Sequence, residues 1–106
     1  MHVTTLITGA YEENCYLLWN EEKKALLIDP GDDAHAIVQI IQKYNLQIAA
    51  YVCTHAHADH ISALHEVHKC YPAPIAMHTL DWDWAFSEIN QSPPYYAQPK
   101  EPTSYT

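Results

Sequence analysis

The chain has 106 residues, enough for one small domain with a modest core. Its net charge is −8 and all five basic residues are lysine, so the clustered positive charge that binds phosphates is missing and nucleic acid is excluded as a partner. Three cysteines at scattered spacings argue for a reducing compartment, and neither a bilayer-spanning run nor a signal-peptide pattern is present, so the expected setting is the cytoplasm with no membrane partner.

His2 to Thr8 alternates weakly and reads as a first strand, with His2 exposed. Gly9 starts a turn, Cys15 to Trp19 forms a second strand, and the polar stretch Asn20-Glu21-Glu22-Lys23 makes a hairpin connection to a third, Ala25 to Ile28. Cys15 lies in an apolar run without a basic neighbour and reads as a buried structural thiol. Asp29-Pro30-Gly31 punctuates the end of that meander, and Asp32 or Asp33 is placed to cap a helix. The helix spans Ala34 to Tyr44, with apolar residues at 34, 37, 38, 41 and 44 and His35 on the polar side. Ile48 to Cys53 is unbrokenly apolar, the pattern of an interior strand covered on both faces. Strand, helix and strand in this order predict a right-handed crossover and a parallel pair.

Directly after that strand stands Thr54-His55-Ala56-His57-Ala58-Asp59-His60. On an extended segment, side chains two apart point the same way, so His55 and His57 can converge on one ion. Asp59 and His60 fall at the turn into the next helix and can aim at a neighbouring ion. Imidazole with carboxylate suits zinc, manganese or iron. Asp59 as a simple N-cap accounts for one residue and leaves three clustered histidines without a reason.

The following helix is expected from about Asp59 to Cys70, with Ile61, Leu64 and Val67 at core spacing and with His65 and His68 on a solvated face. Tyr71-Pro72-Ala73-Pro74 breaks it, and Ile75 to Met77 is a short last strand. His78 reads as a hydrogen-bonded loop residue in preference to a stand-in ligand. Asp81 to Ile89 reads as an aromatic helix. The Pro- and Tyr-rich remainder, 91–106, reads as an extended arm that packs across its own domain or a neighbour, leaving 1–90 as the domain proper.

The run His55-Ala56-His57-Ala58-Asp59-His60 resembles the H-x-H-x-D-H signature of the metallo-beta-lactamase fold hydrolases. Asn14-Cys15-Tyr16-Leu17-Leu18 and Leu27-Ile28-Asp29-Pro30-Gly31 resemble two further landmarks of that family, in the order and spacing of its hydroxyacylglutathione hydrolase (glyoxalase II) branch. The resemblance implies an α/β fold with a mixed sheet, the N-terminal half of an αββα sandwich. It implies metal ligands His55, His57, Asp59 and His60, one or two zinc ions (manganese or iron as alternatives), and Asp59 in a catalytic role positioning the nucleophile. Asp29 is implied to support the site without being a ligand. The implied activity is hydrolysis of a small thioester or ester by a metal-bound hydroxide. The family's remaining ligands follow in a second half that this chain is expected to lack, so its open sheet face calls for a homodimer or for that missing half. The alternative is a non-catalytic remnant that binds metal weakly and self-associates.

Overall fold

The computed structural model describes residues 1–102. The strands β1 (His2–Thr8), β2 (Glu13–Trp19) and β3 (Lys24–Ile28) form the expected antiparallel meander. Its first turn uses Gly9 at φ +72°, where an added Cβ would lie 2.1 Å from the Tyr96 hydroxyl. Its second is closed by Asn20, whose side-chain oxygen accepts the amides of Glu22 and Lys24 at 3.0 Å each.

Helix α1 (Ala34–Tyr44) buries Ile37 and Ile41 and stops at Asn45, which adopts φ 59° while the Leu46 amide bonds back to Ile41. The expected aspartate cap is not made. Asp33 occupies the N-cap position in a left-handed conformation, which turns its carboxylate away from the helix, and it accepts the Gly9 amide instead. Strand β4 (Gln47–Val52) pairs parallel to β3, and β5 (Ile75–Ala76) pairs parallel to β4, giving a five-stranded mixed sheet in the order β1-β2-β3-β4-β5.

One face of this sheet carries Cys15, Leu17, Trp19, Ala25, Leu27, Ile48 and Tyr51, all buried with Ile37, Ile41, Leu64 and Val67 in one core. Full burial of each large aliphatic side chain contributes roughly 1.5–3 kcal/mol. The other face carries the register-matched rows Val3–Leu18–Leu26–Ala50 and Thr5–Tyr16–Ile28–Val52, and its apolar members are exposed or half-buried. The expectation that β4 is covered on both faces is therefore corrected. Its apolar run is interior in the sheet order, but the helical layer lies on one side.

The single helix expected from Asp59 to Cys70 is two: α2 (Ala58–Ile61) and α3 (Leu64–Cys70). The amides of Ser62 and Ala63 donate to Gly31 and Pro30 at 3.0 and 2.9 Å, not to the carbonyls four residues back, and this breaks the run. His68 is corrected too. It lies four residues after Leu64, on the same buried face, with its ring 5.5 Å from Tyr51 and Nε2 3.0 Å from the Ala73 carbonyl.

The aromatic helix α4 begins earlier than expected and is shorter (Thr79–Ala85). His78 caps it through Nδ1, which accepts the Leu80 amide, as its loop reading requires. The segment after α4 folds back over its own domain: Tyr96 is buried, and its hydroxyl accepts the Tyr11 amide at 3.2 Å. Residues 103–106 of the expected arm lie outside the described residues. Among the described residues no helix is long and apolar enough to cross a membrane.

Candidate metal centre

The site sits at the carboxyl end of β4 and is built on the turn that ends β3. Asp29 donates its amide to Val52 and takes φ 53°, a left-handed conformation that aspartate tolerates better than most residues. Its buried carboxylate accepts the Thr54 amide at 2.7 Å, the Thr54 hydroxyl, and an approach from His60 Nδ1 at 3.2 Å. One side chain thus ties the entry of the histidine run to its last member.

Gly31 does the complementary work on the backbone. A Cβ there would lie 2.3 Å from the Asp59 carbonyl and 2.9 Å from the Thr8 hydroxyl, so only glycine lets α2 sit this close. Within the run, Ala56 and Ala58 are buried while His55 and His57 are exposed, so the small spacers turn inward and the imidazoles outward. The Ala56 carbonyl is held from below by the Asn90 amide at 2.5 Å, and the same amide holds Ala85 at the end of α4.

His55 and His57 face the same way, with rings 6.2 Å apart and 23° from parallel, and the His60 ring stands 4.8 Å from that of His55. Among the described residues two groups of donors emerge, each with ligand atoms within 4.8 Å of one another: Asp29, His55 and His60, and Glu13, Asp59 and His60. His60 belongs to both. Its Nδ1 faces Asp29, and its Nε2 faces Glu13 at 3.3 Å and Asp59 at 3.7 Å. His57 stands outside both groups, beside His55 and 5.5 Å from the ring of Trp84.

Glu13 is the residue that sequence reasoning missed. It opens β2, 46 residues before Asp59, and the only sign in the chain was an acidic pair beside the Asn14 landmark. Its carboxyl is pushed above the usual range, chiefly by a hydrogen bond with Asp59 and then by burial, while His60 pulls it down. Two carboxylates pressed together beside imidazoles are a donor set that fits a divalent transition metal. Cys53, next to this cluster in the chain, is not part of it: burial, and then Asp29, push its thiol up to about 12.

The profile of the Metallo-beta-lactamase superfamily matches residues 8–103. Hydroxyacylglutathione hydrolase GloC of Haemophilus influenzae is 36% identical over 63 residues, 59% of this chain and 30% of the relative. The probable metallo-hydrolase YqgX of Bacillus subtilis is 37% identical over 85 residues, 79% of this chain and 40% of the relative. The crystal structure of the B3 metallo-beta-lactamase BLEG-1 superposes with a TM-score of 0.88 at 28% identity, covering 98% of this chain and 52% of that one. A di-iron-bound form of TTHA1623 superposes at 0.79 with 26% identity, covering 97% and 53%. The chain therefore spans 30–40% of the length of these two curated relatives and about half of these two solved structures.

Proposed function

The chain belongs to the metallo-beta-lactamase superfamily, and on that premise we propose that it carries the first half of a metal-dependent hydrolase centre acting on a small thioester of the hydroxyacylglutathione type. The observation that carries this reading is the convergence of His55, His60 and Asp59 with Asp29 and Glu13 at the end of β4. His55, His57, Asp59 and His60 are the proposed ligands, and zinc is the proposed ion, with manganese or iron as alternatives. A divalent ion held there supplies a water of lowered pKa and polarises the carbonyl to be attacked.

The chain's own residues do the positioning. Asp29 takes one nitrogen of His60 and so aims the other at Glu13 and Asp59. Asp59, half-buried beside Glu13 and His60, accepts the proton of an attacking water and holds it in line. Asn90 and Gly31 fix the loop from behind and below.

The open face of the sheet is proposed to be covered in the working protein by a second copy of the chain or by the remaining half of a longer one. A non-catalytic remnant that binds metal weakly and self-associates is the second reading, favoured by the place of His57 outside both donor groups.

Metal analysis tests the proposal. The purified chain should hold zinc stoichiometrically after dialysis, and the double variant His55→Ala, His57→Ala should lose it. Equal zinc in that variant would overturn the ligand assignment.

A further inference from the structure

A cavity of about 520 Å³ opens beside His57 and Asp59, walled by Tyr11, Trp84, Ile89 and Ser92. That size is in the usual range for small-molecule sites, roughly 300–1,000 Å³. We propose that this cavity receives the uncharged hydrocarbon part of the substrate's acyl group, beyond its carbonyl and hydroxyl, and that Trp84 is the residue that selects it. The proposal rests on the hydrolase reading for the identity of the reacting group, but the pocket's chemistry stands apart from the metal.

The walls are apolar where they are free. Ile89 is 79% exposed, and Tyr11, although its ring packs against Tyr95 and Tyr96, is still 45% exposed. Away from His57 and Asp59, the polar side chains of the lining are engaged in hydrogen bonds of their own. Ser92 Oγ bonds the Tyr11 hydroxyl, the Gln91 amide donates to Glu88, and the Asn90 amide donates to Ala56 and Ala85. No lysine lines the cavity, and Asp59 on its floor disfavours an anion. In the metal-free chain a carboxylate-bearing or phosphorylated group therefore finds no counter-charge there, whereas an alkyl or phenyl group meets Trp84, Ile89 and Tyr11.

The placement relates the pocket to the chemistry. The Trp84 ring lies 5.5 Å from that of His57 at 56°, so an acyl chain against the indole has its carbonyl end directed towards the histidine run. The wall is also preset. Trp84 lies in α4, whose last residue, Ala85, is held by Asn90, and the Phe86 carbonyl is held by Gln98. A wall fixed by hydrogen bonds to two segments does not have to be ordered by the ligand.

The experiment uses the whole chain stripped of metal and titrates methyl hexanoate and, separately, hexanoate, read by amide and indole shifts in heteronuclear NMR. Methyl hexanoate should move the Trp84 indole and the amides of 89–92, and hexanoate should bind at least tenfold more weakly. Trp84→Ala should weaken the ester at least tenfold, and Ile89→Asp, at an exposed position where folding is not at stake, should do the same. His55→Ala should keep ester binding while losing zinc. Loss of zinc binding in the wild type with ester binding intact would sink the metal reading and leave the pocket standing. Equal binding of ester and acid, no effect of Ile89→Asp, or shifts gathered on Val3, Ile7 and Leu26 would overturn the pocket.

Discussion

On the face of the sheet that α1 and α3 cover, Leu17, Leu27 and Tyr51 are wholly buried, whereas on the opposite face Val3 is 58% and Leu26 39% exposed. Both faces are apolar in sequence, and both belong to the same strands. The difference teaches that hydrophobic character alone does not say which side of a strand is finished: that is decided by where the helices return. The covered face also seats the site, because the carbonyls of Pro30 and Gly31 that end β3 hold the junction between α2 and α3.

The largest contrast should appear in thiol chemistry. Burial, and then Asp29, push Cys15 on the covered face up from 9.0 to about 12, which at neutral pH lowers its thiolate fraction by roughly a thousandfold. Cys70 is exposed at the end of α3. A disulfide reagent at pH 7 should therefore titrate one thiol rapidly in the native chain and all three cysteines in denaturant. Rapid reaction of Cys15 would show that the covered face is not closed.

Next in size is a direct comparison of the two faces by truncation. Leu27→Ala, at a fully buried position, should cost about 2–5 kcal/mol of stability by urea unfolding. A cost below about 1 kcal/mol would erase the distinction.

Gly31→Ala asks how tightly the site is coupled to the covered layer. The added Cβ meets the Asp59 carbonyl, and overpacking of this kind costs about 1–3 kcal/mol. Zinc content should fall with it, since Asp59 and His60 move together. Unchanged zinc and unchanged stability would mean that α2 is free to shift.

Smallest is Leu26→Ala on the open face, expected to change monomer stability by no more than about 0.5 kcal/mol, as at other weakly packed surface positions. Sedimentation equilibrium at micromolar concentration sharpens the reading. If the wild type is a dimer that this variant dissociates, a second copy covers the face. A monomer unaffected by the substitution leaves the face open in this chain.

The chain's local patterns carried most of the architecture. The meander, α1 with its 34-37-41 stripe, and β4 all lie where period and punctuation place them, because each depends on neighbours within a turn or a hairpin. Where the readings failed, residues distant in the chain had intervened. The break between α2 and α3 comes from carbonyls some thirty residues upstream, the missing Asp33 cap from a backbone amide at Gly9, and the burial of His68 from the helix face that Leu64 and Val67 share with the core.

By itself, then, the sequence determined the strands, their order and α1, and put three imidazoles and a carboxylate on one short run after a buried strand. Spacing along an extended segment is a covalent property, so the shared direction of His55 and His57 was legible without coordinates. Only the tertiary structure brought Glu13 and Asp29 to His60, seated Tyr96 on Gly9, and left one sheet face uncovered. Those contacts join separate strands, turns and the segment around Tyr96, and their energies arise only once the layers have packed. No window of the sequence short enough to be read locally contains both partners.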